Sequence, residues 1–182
     1  MRMHLHIFWD HAAPSGLQVP VARTISSLVG VPATVSDSPV RIKGYSSERK
    51  QSDARMILDS ITAYTHHHPI HDPILLVVSQ DLYSHGHHYL FGLARPQHHV
   101  AVVSSARLSN EFYNLPPDDD DIIDRISKEG AHEVGHLFGL EHCKNTECIM
   151  FCPDTHDELD SKKKMFCPSC REQLEKNLEE ME

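Results

Sequence analysis

Apolar positions recur along the chain in two rhythms, one every second residue or in short runs, the other every third or fourth, and they alternate through the first hundred residues. Met3 to Trp9 reads as a first strand. Pro20 suits the first turn of a helix that carries Val21, Ile25 and Leu28 on one face and ends near Gly30 and Pro32. Ala33 to Val35 and Val40 to Lys43 read as short strands. Ser46 or Ser47 caps a longer helix running to about Tyr64, with Ala54, Ile57, Leu58 and Ile61 at helical spacing. Three strand-like segments follow, Ile74 to Ser79, Tyr89 to Ala94 and Val100 to Ser104, the first two joined by the turn-rich Ser84-His85-Gly86-His87. Pro116-Pro117 and the carboxylates Asp118 to Asp121 then mark the start of a helix over about Asp119 to Phe138. Strands interleaved with amphipathic helices predict an α/β (α+β) fold.

After Gly139 the hydrophobic rhythm fades and all five cysteines appear. A last helix, roughly Ser169 to Met181, sets Cys170, Leu174, Leu178 and Met181 along one stripe. The pattern predicts one domain in two parts: residues 1–139 with a long helix at their end, and a small metal-stapled subdomain over 140–182.

Composition narrows the function. At 182 residues, with 40% apolar and 24% charged side chains, the chain can bury a real core and is not disordered as a whole. A formal net charge of −9 argues against nucleic acid as a partner, because that role needs basic stripes. Met1 to Asp10 lacks the pattern of a secretory leader, and the longest apolar run, Ile74 to Val78, has strand length, so neither export nor a membrane span is expected. The expectation is a cytoplasmic monomer whose cysteines bind metal rather than form disulfides.

The chemistry is concentrated in His132-Glu133-Val134-Gly135-His136-Leu137-Phe138-Gly139-Leu140-Glu141-His142. On a helix, residues four apart share a face, so His132 and His136 reach one ion with Glu133 beside them. Gly139 can adopt positive φ, end the helix and bring His142 back as a third ligand. Three neutral imidazoles leave a tetrahedral zinc one open position for water, which is the layout of a catalytic site. Glu133 then serves as general base on the zinc-bound water. The full pattern arises by chance on the order of once in a few thousand such sequences, even with 16 histidines in the chain.

Cys143, Cys148, Cys167 and Cys170 have the spacing of a sealed four-thiolate zinc site. Ordinary buried thiols, or a redox pair at Cys167 and Cys170, are the alternatives. Cys152 is either a free thiol or a replacement for one of the four. His142 and Cys143 are neighbours, about 3.8 Å apart at Cα, so the two sites are coupled through one peptide bond.

These residues resemble the archaemetzincins, a branch of the metzincin clan of zinc peptidases. The resemblance rests on the long histidine motif, Cys143 directly after it, Cys148-Ile149-Met150 and the closing Cys167-x-x-Cys170, and covers about the last third of the chain. It implies a zincin-like fold with a mixed sheet above a cleft, a short lower subdomain and two zinc ions. It implies that Met150 is the Met-turn methionine, lying under the catalytic zinc without ligating it. It also implies that Tyr89 to Ala94 is the edge strand along which an extended peptide pairs. The insert between Met150 and Cys167 is one residue shorter than the family pattern and contains Cys152.

Other features carry less. The histidines at 66–68, 71, 85, 87, 88, 98 and 99 read as solvated loops, Asp118 to Asp121 as helix-end electrostatics rather than a calcium site, and Lys162 to Lys164 as a solvated turn. Thr155 and His156 follow the Met-turn, where a transition-state donor could stand. The expectation is a zinc metallopeptidase acting on short peptides or amino termini, of aminopeptidase type in the latter case, with no propeptide ahead of the first strand. The competing readings are a zinc-stabilised binding module and a hydrolase of a non-peptide amide.

Overall fold

The computed structural model describes residues 3–182, so Met1 and Arg2 of the segment read as lacking a leader lie outside the described residues. In chain order the upper part comprises β1 (Leu5–Trp9), α1 (Gln18–Val29), β2 (Ala33–Asp37), β3 (Tyr45–Ser46), β4 (Gln51–Asp53), α2 (Ala54–His67), β5 (Ile74–Val78), β6 (Leu82–Ser84), β7 (His87–Leu90), β8 (Gly92–Arg95) and β9 (Val100–Ser104). The long helix α3 (Asp119–Leu137) follows, then α4 (His156–Ser161) and α5 (Pro168–Met181).

The main sheet runs β2-β1-β5-β9-β8. Four strands are parallel, and β8 closes one edge antiparallel to β9, with Gly92 opposite Val103 and Arg95 opposite Val100. The parallel strands are apolar at successive positions because both faces are covered. Leu75, Val77, Ala101 and Val103 face α1 and α3, whereas Ile74, Leu76, Val78, Val100 and Val102 face α2. A smaller sheet, β3-β4-β6-β7, lies beside this layered core. Among the described residues, no helix is long and apolar enough to cross a membrane.

Three local expectations are corrected. The second helix starts at Ala54 rather than at Ser46 or Ser47, capped by Asp53, whose Oδ1 accepts from Arg55 N at 2.9 Å. Ser46 Oγ does accept from Arg49 N as a cap would, at 3.2 Å, but Lys50 then takes a left-handed φ of 54° and the chain turns into β4. Val40 to Lys43 forms no strand, and Val40 is buried in the core on the α2 side. The single strand over Tyr89 to Ala94 is two, β7 in the small sheet and β8 in the large one, divided at the buried Phe91.

Helix α3 carries the cleft and is anchored at both ends. Asp118 caps it by accepting from Asp121 N at 3.1 Å, and Asp119, Asp120 and Asp121 occupy its first turn, as helix-end electrostatics require. At the other end Gly139 has φ +83°, Gly139 N donates to His136 O at 3.0 Å and Leu140 N to Gly135 O at 2.9 Å. The lower segment is tied back to α3 by Arg125, whose Nε and Nη2 meet Asp160 Oδ1 and Oδ2 at 2.8 and 2.9 Å.

Candidate metal centre and cleft

The turn at Gly139 brings His142 to the face of α3 that carries His132 and His136, and one nitrogen of each lies within 4.8 Å of the others. His132 Nδ1 contacts Ile149 O and His136 Nδ1 contacts Leu140 O, both at 2.8 Å. A carbonyl oxygen only accepts, so each Nδ1 carries the proton and each Nε2 turns its lone pair inward. The two Nε2 atoms stand 3.2 Å apart. Two lone pairs facing at that distance repel unless a cation lies between them. Zinc–nitrogen bonds of about 2.0–2.1 Å at a tetrahedral angle put two ligand nitrogens roughly 3.3–3.4 Å apart, so the set fits that ion.

The four cysteines expected together are together: the sulfurs of Cys143, Cys148, Cys167 and Cys170 also lie within 4.8 Å of one another. Cys143 Sγ and Cys167 Sγ are 3.8 Å apart, too far for a disulfide and equal to the roughly 3.8 Å spanned by two thiolates on one tetrahedral zinc. Backbone amides point at the sulfurs: Cys148 Sγ accepts from Cys167 N at 3.2 Å and Met150 N at 3.4 Å. The Cys170 amide lowers the pKa of the Cys167 thiol, while burial raises those of Cys148 and Cys170, a cost that a metal removes by holding thiolates. Cys152 stays outside this set, exposed on the cleft wall.

The two clusters share a turn. Cys143 N donates to Met150 O at 2.9 Å, and Met150 is fully buried beneath α3, where a β-carbon at Gly135 would stand 2.6 Å from its sulfur. Met150 therefore packs under the helical turn that joins His132 to His136.

A cavity of about 650 Å³ lies over the imidazoles, with β7 and β8 as its upper rim and Cys152 to Asp154 on its lower rim. Its size suits a small ligand or a short stretch of peptide. The outer edge of β8 is free of a neighbouring strand among the described residues. Glu133 faces the cavity from below that edge: a β-carbon at Gly92 would come within 2.8 Å of its Oε1. Burial holds the Glu133 carboxyl well above the ordinary range, with the charge of Glu129 adding to the shift and Lys162 opposing it. Burial also lowers His132 well below the usual imidazole value, and His136 to a lesser degree, which keeps both neutral as metal ligands must be.

The expectation of a solvated turn over Lys162 to Lys164 holds for the exposed Lys163 and Lys164 and is overturned at Lys162. Lys162 is buried, its Nζ 3.0 Å from Glu129 Oε1 and 2.9 Å from Phe151 O. Lys163 pairs with Glu147 at 2.9 Å and Lys164 with Asp124 at 3.3 Å. Glu129 lies one turn before Glu133, a spacing visible in the sequence, but nothing in a run of three lysines marks its first member as interior. The nine weighed histidines are exposed, but not all lie in loops: His66 and His67 end α2, and His87 and His88 lie on β7. Among the described residues they form no third ligand cluster. Thr155 caps α4 by accepting from Glu158 N at 3.2 Å, and His156 stacks on Tyr113 with ring centroids 4.1 Å apart, so neither faces the cleft.

Residues 21–176 match the model of peptidase family M54. The chain is 42% identical over 131 residues to an archaemetzincin of Pyrococcus abyssi, covering 72% of this chain and 69% of that one. It is 47% identical to the archaemetzincin of Pyrococcus horikoshii over 102 residues, just over half of each chain at 56% and 54%. Among solved structures, a zinc-dependent peptidase from Methanocorpusculum labreanum superposes with a TM-score of 0.90 at 42% identity, covering 93% of this chain and 99% of that one. An archaemetzincin from Methanopyrus kandleri superposes with a TM-score of 0.84 at 33% identity, covering 98% and 96%.

Proposed function

Because the chain belongs to peptidase family M54, the archaemetzincins, we propose that it hydrolyses short peptides in the cleft beneath β8, with His132, His136 and His142 as the ligands of a catalytic zinc and Glu133 as its general base. The observation that carries this reading is the convergence of three imidazole nitrogens beside a buried carboxyl that lines the cleft. When bound there, zinc supplies Lewis acidity that polarises a carbonyl and acidifies water.

The residues of the chain do the rest. The free edge of β8 offers backbone N–H and C=O groups to an extended peptide and holds its scissile bond over Glu133. Burial and the charges of Glu129 and Lys162 set the environment of the Glu133 carboxyl, and among the described residues no donor bonds to it, which leaves its oxygens free to take a proton from the attacking water. Its raised pKa suits it to keep that proton and return it to the leaving amine. Met150 supports the turn between His132 and His136 from below.

Cys143, Cys148, Cys167 and Cys170 hold a second, structural zinc in this reading, with all four positions filled by protein. The chain then works as one metallopeptidase domain, residues 1–139 supplying the sheet and α3, and 140–182 forming the floor of the cleft. Purified zinc-loaded protein is tested against a peptide library with Glu133→Ala as control. Cleavage that disappears in Glu133→Ala at unchanged zinc content is the expected result, and the absence of Glu133-dependent cleavage of any peptide would sink the proposal.

A further inference from the structure

Among the described residues, one hydrogen bond joins the two rims of the cleft. Tyr89, on β7, belongs to its upper rim and Asp154, beyond the Met150 turn, to its lower rim, and both line the same cavity. The Tyr89 hydroxyl donates to the Asp154 carbonyl oxygen across a sequence separation of 65 residues. Both ends of this bridge are braced. Phe91 meets the Tyr89 ring edge-on, with centroids 5.7 Å apart. The Arg107 guanidinium lies 4.1 Å from the same ring centroid and is itself held by Asp81, with Nε–Oδ1 at 2.8 Å and Nη2–Oδ2 at 2.9 Å. On the lower rim Pro153 is buried, and Asp154 N donates to Glu158 Oε2 at 2.6 Å.

The bridge lies to one side of the reacting centre. Gly92 stands over Glu133, with Tyr89 three positions before it and Ala94 and Pro96 after it on the same wall. A peptide that adds to the free edge of β8 in the better-stabilised antiparallel sense has its amino side toward Arg95, and its carboxyl side passes Gly92 toward Tyr89. Tyr89 is three positions from Gly92, so at about 3.3 Å per residue the path between them holds at most about three residues.

We propose that the Tyr89–Asp154 bridge closes the carboxyl side of the cleft, so that Tyr89 determines specificity and substrates have no more than about three residues beyond the cleaved bond. The inference rests on the peptidase reading for the position of that bond. It does not rest on turnover, because the bridge blocks an uncut ligand as well as a substrate.

The test is therefore binding. Zinc-loaded protein is titrated with oligo-alanines, one to six residues long, that carry a hydroxamate at the amino end and so run to the carboxyl side of the metal. A second series carries the hydroxamate at the carboxyl end. In the wild type, affinity in the first series should fall roughly tenfold once the bridge is reached, and the second series should show no such step. Tyr89→Ala should abolish the step, and Tyr89→Phe, which keeps the ring against Phe91 and Arg107, should reduce it to roughly threefold. A wild type without the step, a step confined to the second series, or an undiminished step in folded, zinc-replete Tyr89→Phe overturns the proposal. If the step appears while no library peptide is ever cut, only the peptidase reading fails.

Discussion

Gly92 and Glu133 approach so closely that a β-carbon on the glycine would stand 2.8 Å from Glu133 Oε1 and 2.9 Å from its Cγ. The edge strand thus fixes the height of the Glu133 carboxyl, and only a residue without a side chain leaves that carboxyl where it is. Gly92→Ala must displace either the carboxylate or β8. Misplacement of a reacting group by about 1 Å costs roughly a hundredfold in rate, so kcat should fall by about that factor. Zinc content should be unchanged, because none of the three histidines is touched. Steady-state kinetics alongside metal analysis checks this, and an unimpaired kcat refutes the contact as a constraint on Glu133.

Lys162 and Glu129 make a second constraint, between side chains 0% and 3% exposed. Lys162→Met leaves the Glu129 carboxylate buried without its counter-ion and Phe151 O without its donor. Breaking one side of such a pair costs about 3–5 kcal/mol, whereas replacing both sides by apolar groups is far milder. Denaturant titration should show Lys162→Met strongly destabilised and the Glu129→Leu/Lys162→Met double variant partly restored. Two losses that simply add would show that the pair is not coupled.

The metal-free protein should respond to pH in two opposite ways. Burial raises the Glu133 pKa above the ordinary 4.5, so its contribution to stability is complete below that pH and is lost as pH rises toward the folded value. His132 and His136 are lowered from 6.5, so their contribution is present above that pH and is lost as acid protonates them. Glu133→Gln removes only the first effect. Scanning calorimetry of chelator-treated protein should give Glu133→Gln a higher Tm than the wild type at pH 7, with the gain shrinking toward pH 4.5. A gain independent of pH would contradict the assignment.

Cys143 sits between the two ligand sets, with its sulfur in one and its amide bonded to Met150 O beneath the other. Cys143→Ser should therefore lower the zinc content from two per chain toward one and also weaken retention of the remaining ion during dialysis against a chelator. Full retention of the histidine-bound ion would show the sites to be independent.

What could be read from the sequence divides along a physical line. His132, Glu133 and His136 lie within two turns of one helix, and Cys167 and Cys170 within one helix start, so local periodicity alone places them. His142 needed only the positive φ that Gly139 supplies. The misreadings occur where distant partners decide. Ser46 makes the very hydrogen bond of a cap, yet Gln51–Asp53 becomes a strand because Ser52 and Asp53 pair with Leu82 and Tyr83. Lys162 is interior because Glu129, 33 positions earlier, is interior too. Tyr89 to Ala94 divides at Phe91 because two different sheets claim its halves.

Asn177 on α5 donates to Phe138 O at 2.7 Å and so secures the end of the helix that carries His136, from 39 positions downstream. During synthesis the sheet and its rim emerge well before this fastening. A nascent chain would therefore hold a shaped roof over an unfinished floor until α5 has emerged.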